Sequence, residues 1–241
     1  MGKGSDILYT LLLRLSAPLQ SWGSESMYDN RETDYMPTKS GIIGLLAAAL
    51  GVKRGETKQL EELNRLGFGV RIDLQGVKLN DFQVTHMGEK LNANLSNKVY
   101  LSDAIFLAGL SCEDITYLEE LKNALIYPRY SLFLGRRSCP PTQPLVLGIR
   151  DKGLYEALYN EEWLVPVWMR KSLFRYSDSL SLRIVIDSKQ EGEIKRDVPI
   201  SFSPFKREYG YRYRKEMISK KVNKGQELTK TEHDPMQELR W

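Results

Sequence analysis

The chain is poor in the residues that most often carry catalysis, metals or covalent cross-links. Its 241 residues include two cysteines, Cys112 and Cys139, and two histidines, His86 and His233. Two thiols cannot build a disulfide framework or a four-thiolate zinc site, and they suit a reducing compartment such as the cytoplasm. Two histidines far apart in sequence make no histidine-rich metal site. No Asp/Glu cluster has metal-ligand spacing either, so neither metal nor cofactor is expected. No apolar run approaches the ~20 residues of a membrane span. The apolar stretch at 7–13 is cut by Arg14 and lacks a clean cleavage site after it, so it reads as a strand and not as a signal peptide. The spacing of a Walker phosphate loop is absent.

What is present suits a folded domain that meets a polyanion. Hydrophobic residues make up 41% of the chain and aromatic residues 10%, which is enough for one large core or two small ones and excludes disorder throughout. The net charge of +4 is unevenly placed: residues 195–241 hold 12 Lys/Arg against 7 Asp/Glu, which leaves the other 194 residues slightly acidic. Such asymmetry fits either a local polyanion contact or a solvated tail.

Hydrophobic periodicity orders the chain. Strands are expected at 7–16, 68–74, 104–110 and 144–149, and helices at 38–50, 58–66, 113–125 and 154–158. Thr38 or Ser40 can cap the first helix, and Gly51 suits its C′ position. Residues 76–102 are polar and read as a hairpin or loop projecting from the sheet. The order β-α-β-excursion-β-α-β matches an α+β, ferredoxin-like βαββαβ fold, the architecture of RNA-recognition modules. The expected organisation is a domain over 1–150, a small β-rich part over 151–216 and a polar, mobile tail over 217–241.

Three segments could carry chemistry. Pro37-Thr38-Lys39-Ser40-Gly41 opens a helix, where a positive dipole end, a lysine and two hydroxyls could seat a phosphate; a plain capped helix is the other reading. Arg129, Tyr130, Gly135, Arg136 and Arg137 lie on a loop that mixes guanidinium groups with rings, which suits phosphate and base contact or else a structural loop. In 202–221, Tyr209, Tyr211 and Tyr213 share one strand face and Arg212 and Arg214 the other; this fits single-stranded nucleic acid or an edge strand with an aromatic inner face. Catalytic options are thin: His86, with Lys98 and a tyrosine, is the only candidate base for RNA cleavage.

The segments Leu13-Arg14-Leu15-Ser16-Ala17-Pro18-Leu19-Gln20-Ser21-Trp22-Gly23, Arg31, Pro37 to Leu46, Pro128-Arg129-Tyr130 and Leu134 to Pro140 together resemble the CasD family of type I-E CRISPR Cascade complexes. The resemblance covers most of residues 7–150 and is loose after 180. It implies a ferredoxin-like domain with a β-hairpin thumb at 76–102. It also implies a non-catalytic role: gripping the 5′ handle of the crRNA and capping the backbone filament, with no cofactor. The implied partners are crRNA, the large subunit and the terminal backbone subunit, with target DNA reached only through the complex. The implied RNA contacts are Gln20, Trp22, Arg31, Thr38, Lys39, Ser40, Gly41, His86, Lys98, Arg129, Tyr130, Gly135, Arg136, Arg137 and Arg212. A related protein of subtype I-C systems cuts precursor crRNA without metal, which leaves an endoribonuclease built on His86 and Lys98 as the alternative.

Overall fold

The computed structural model describes residues 8–23, 30–86, 93–173, 179–203 and 205–222. In chain order the elements are β1 (Tyr9–Ser16), β2 (Leu19–Gln20), β3 (Asn30–Arg31), α1 (Lys39–Leu50), α2 (Thr57–Asn64), β4 (Gly67–Leu74), β5 (Val77–His86) and β6 (Ala93–Ser102). There follow β7 (Ile105–Cys112), α3 (Ile115–Ile126), β8 (Val146–Arg150), α4 (Leu154–Asn160), α5 (Val167–Leu173), β9 (Ser179–Ser188), β10 (Glu193–Phe202) and β11 (Arg207–Val222). No helix among them is long and apolar enough to cross a membrane.

Leucine follows leucine in β1 because the strand is covered on both faces. Leu11, Leu13 and Leu15 point into the core formed with α1 and α3, while Leu12 joins Leu107, Ala157 and Leu158 on the other side, under α4. The strand sits inside a seven-stranded sheet of order β10-β11-β9-β4-β7-β1-β8. Every neighbouring pair in it is antiparallel. The chain is thus a mixed α/β structure dominated by antiparallel sheet. Within it, α1 and α2 lie between β1 and β4, α3 lies between β7 and β8, and β7 separates β4 from β1.

A second, smaller sheet centres on β6. Within the polar excursion, β5 and β6 pair as an antiparallel hairpin, in register from Val77↔Ser102 to His86↔Ala93. β2 and β3 flank the other edge of β6, with Arg31 opposite Lys98. Val77, Leu79, Phe82, Val84 and Leu95 are exposed, so this hairpin buries little apolar surface of its own.

The β-rich part expected over 151–216 carries three strands, and the departure from expectation comes after Met217. β9, β10 and β11 continue the main sheet through β4, and β11 runs to Val222, beyond Met217 where a polar tail was expected to begin. Ser219 is buried opposite Leu182, so backbone pairing with β9 carries a stretch whose side chains show no apolar alternation. Residues 223–241, including His233, lie outside the described residues.

An ion pair with no solvent exposure joins the sheet to the segment after α4. Arg71 reaches Asp73 through Nε at 2.6 Å and Nη2 at 2.9 Å, and it also donates to the carbonyls of Leu158, Glu161 and Glu162. Asp73 Oδ2 in turn accepts from the Leu164 N–H, and the Asp73 carbonyl accepts from Trp163 Nε1. All five guanidinium N–H directions thus find acceptors, which is the condition for burying an arginine.

Candidate nucleic-acid interface

The start of α1 is capped as expected, but from inside the protein. Thr38 adopts extended φ/ψ of −91° and 152°, and its Oγ1 accepts from the Gly41 N–H; Gly51 closes the helix in the left-handed region at φ 80°. The Lys39 N–H donates to Asp197 Oδ2 at 2.9 Å. The anion that a helix N-terminus attracts is therefore a carboxylate of β10, where an RNA phosphate was expected. Lys39 is only 6% exposed, and its ammonium donates to the Leu66 carbonyl and to Asp187 Oδ2. This corrects its expected role: a charge locked 148 residues away along the chain is unavailable to a ligand. Gly41 is also used internally, since a Cβ there would stand 2.8 Å from the Trp22 ring.

Gln20 and Trp22 are corrected likewise. Gln20 is fully buried, donates to the carbonyls of Leu15 and Ala104, and accepts from Trp22 Nε1. The Trp22 backbone N–H is held by Thr33 Oγ1. Trp22 borders a cleft, and the polar atoms of both side chains are bonded within the protein.

The arginine loop after α3 is pinned at both ends, and its tip carries Arg136 and Arg137. Leu134 and Cys139 are buried; Leu134 O accepts from the Ser21 N–H, and the Leu134 N–H donates to Cys139 O. Burial raises the Cys139 thiol above its ordinary value, against the pull of Ser138 and Arg136, so the sulfur is a packing group. Gly135 takes φ 89°, and a Cβ on it would collide with the Ser21 carbonyl, so this backbone approach admits only glycine. Arg136 stacks 4.5 Å from the centre of the Tyr100 ring and donates to the Arg31 carbonyl, which ties the loop to β3. Its Nη1 is buried without a hydrogen-bond partner among the described residues. Arg137 is exposed. Arg129 is also exposed, with its side chain lying over Gly51 and its N–H on the Ala49 carbonyl, whereas Tyr130 is 51% exposed beside it.

On β11 the expected faces are reversed. Arg212 is the inward residue, bound to Asp197 through Nε and Nη2 and to Asp187 through Nη1, 5.1 Å from the Phe68 ring centre. Tyr211 is 69% exposed. Burial alone would raise Asp197, yet the Arg212 hydrogen bonds, the Lys39 N–H and Lys195 together hold it below the usual carboxylate range. Burial likewise works against the charged form of Arg212, and Asp197 and Asp187 overcome it and raise its pKa. Arg212 is therefore held inside the protein by two carboxylates, where an RNA contact was expected. Other described cations of the C-terminal fifth are also paired: Lys195 with Asp34, Lys206 with Glu208, Arg214 with Glu193 and Lys215 with Glu191. Arg207 has no such partner among the described residues and turns toward α1.

These segments converge on one cleft of 720 Å³. Thr38, Ser40 and Gly41 line it from α1, Gly135 and Arg136 from the arginine loop, and Arg31 and Glu32 from β3 and its flank. Phe202, Arg207 and Tyr209 close it from the C-terminal hairpin. Arg207 lacked a distinguishing signal in the sequence, since every neighbouring cation looked equally available. Lys98 lies outside the cleft lining and donates to Gln83. His86 and Lys98 do not come together: Lys98 is in register with Asp81, five residues along β5 from His86, or about 17 Å of strand. The His86 side chain lies outside the described residues. No group of three or more His, Cys, Asp or Glu capable of holding a metal occurs among the described residues.

The family model described as CRISPR-associated protein (Cas_Cas5) matches residues 10–215. The chain belongs to the Cas5 family. The CRISPR system Cascade subunit CasD of Escherichia coli (strain K12) is 36% identical over 156 residues, which cover 57% of this chain and 70% of that protein. A solved structure described as a crystal structure of Cas protein superposes with a TM-score of 0.66 at 35% identity, over 87% of this chain and 94% of the other. A chain of a CRISPR RNA-guided surveillance complex gives 0.69 at 28% identity, over 88% and 91%. The Cas5 match reaches into β11, so Arg31, Arg136 and Arg207, from all three walls of the cleft, fall within it.

Proposed function

We propose that this Cas5 chain is a non-catalytic, CasD-like subunit of a cytoplasmic type I-E Cascade complex that holds the 5′ handle of the crRNA. The carrying observation is the meeting of Arg31 and Arg136 with the Ser40 hydroxyl in one open cleft, with the exposed Arg137 next along the loop and no histidine among the described residues that line it. Such a surface suits retention of a phosphodiester backbone through charge-assisted hydrogen bonds. We read the strands β4-β7-β1-β8, with their two helical crossovers, as a ferredoxin-like module, and the β5–β6 hairpin as its thumb. In this reading the subunit caps the backbone filament. The thumb meets the terminal backbone subunit, the large subunit packs beside it, and target DNA is engaged only through the assembled complex.

The test is twofold. Tagged chain expressed with its operon should recover an RNA of uniform length together with other Cas subunits. Purified chain incubated for hours with labelled precursor repeat, with or without magnesium, should leave it intact. Single-site cutting that disappears in His86→Ala would instead establish the processing-endoribonuclease reading.

A further inference from the structure

The cleft opens into a second chamber of 580 Å³ that runs along α1. That is the size of a pocket for a small flat molecule, larger than one amino-acid side chain needs. Its floor is small: Gly44 and Ala48 present almost no side chain. A Cβ on Gly44 would lie 3.7 Å from Phe202 Cζ, so the Phe202 ring edge already rests at contact distance over that floor. Four rings line the chamber, Tyr130 and Phe133 from the loop after α3, Phe202 and Tyr209 from the β10–β11 turn. Tyr130 is half exposed and Tyr209 partly so, and neither ring has an aromatic partner among the described residues. Three cations, Lys53, Arg54 and Arg207, and one carboxylate, Glu56, stand at the chamber; Glu56 accepts from the Lys53 backbone N–H, and none of the three cations forms an ion pair among the described residues.

We infer that this chamber takes one unstacked nucleobase of the bound RNA, with Arg207 holding the phosphate between it and the main cleft. The inference rests on the RNA-holding reading above and adds to it a second, base-facing site built partly from the C-terminal hairpin. Three features favour a base over a protein side chain. Rings contributed by two separate segments suit a flat π-face, and every base has one, so such a slot tolerates sequence. Unpaired cations beside an apolar floor match a ring attached to phosphate, whereas an apolar peptide would leave them unanswered. The chamber is also continuous with the cleft through Ser40, Gly135 and Arg207, so a strand lying in the cleft can turn a base into it without a break.

Full-length chain is titrated with fluorescein-labelled oligouridylate of about 12 nucleotides and with an abasic ribose-phosphate oligomer of equal length. Wild-type protein is expected to prefer the base-bearing strand by about tenfold, within the range for one stacked base. Tyr130→Ala, at an exposed position outside the main cleft, should remove most of that preference with affinity for the abasic strand and its salt slope unchanged, and adding Tyr209→Ala should remove the rest. Arg207→Ala should weaken both strands. Equal affinity of wild type for the two strands, or a preference that survives the double substitution, overturns the base slot and leaves backbone gripping intact. Failure to bind either strand overturns both readings. Loss of Cascade subunits from pull-downs of the Tyr130→Ala variant, with base preference unchanged, overturns the slot in favour of a protein contact.

Discussion

Arg212 has 8% of its side chain exposed and two carboxylates in hydrogen-bonding distance, while Arg137, of the same chemistry, stands in solvent beside the cleft. The two should fail differently when removed. Arg136→Ala with Arg137→Ala is expected to lower the melting temperature modestly, through the lost Arg136 contacts with Tyr100 and the Arg31 carbonyl, and to weaken RNA binding much more than that loss of stability accounts for. It should also reduce the slope of log affinity against log salt by about 2, since two phosphates would no longer be neutralised. Fluorescence anisotropy across a salt series reads this directly. Asp197→Asn should act on folding: it leaves Arg212 with Asp187 alone and weakens the acceptor for the Lys39 N–H, at a cost of about 3 kcal/mol. Because the folded pKa of Asp197 lies below the unfolded value near 3.8, its contribution is fully present above that pH and is lost as pH falls through the lower, folded value. Thermal melts from pH 7 down to pH 2 should show the wild type losing stability below about pH 4 more steeply than Asp197→Asn. Equal slopes would mean that other carboxylates govern acid unfolding.

Helix α1 shows how an element can satisfy its own ends and still line a binding surface. Asp197 answers its first N–H and Thr38 its third, so the macrodipole is already met by a protein anion, and the arginine loop must supply most of the attraction for phosphate. That loop depends on Gly135. Gly135→Ala places a methyl group into the Ser21 carbonyl at a positive φ, so the turn must move away from the segment after β2. The expected result is a drop in RNA affinity at least as large as for Arg136→Ala, with a lowered melting temperature. RNA binding like that of wild type would show that the loop finds its place without this approach. Thr38→Ala is the milder case: loss of the cap should cost about 1 kcal/mol in denaturant unfolding, with a much smaller effect on RNA.

At the scale of the molecule, one seven-stranded sheet supports both the cleft and the projecting hairpin, and these differ in what holds them. The sheet is covered on one face by α1 and α3 and on the other by α4, and the buried Arg71–Asp73 pair fastens the latter cover. The β5–β6 hairpin has exposed apolar residues on a free outer strand and belongs to the least stable part of the fold. Replacing 81–96 with a short glycine linker keeps Asn97 and Lys98 paired to β3, so the core should melt within a few degrees of wild type. The same deletion should prevent incorporation into Cascade, scored by co-purification with the other subunits. A deleted chain that still enters a target-binding complex would remove the hairpin from assembly.

Local sequence determined the parts whose physics is local. The cap at Thr38, the stop at Gly51, the apolar stripe of α3 and the leucine run of β1 each follow from residues within a few positions of one another, and they were legible as such. So was the cluster of Gly135, Arg136 and Arg137 as a loop with cations. Tertiary structure alone decided which charges are free. Lys39, Arg212 and Gln20 looked as available as Arg136, but their partners lie as far as 148 residues away or on another strand of the sheet. A carboxylate that far along the chain leaves no periodic trace, and an ion pair is set by distance in space. The same folding step that buried Lys39 and Arg212 carried Arg207 and Tyr209 to the cleft, since β10 and β11 had to join the sheet before Asp197 could cap α1.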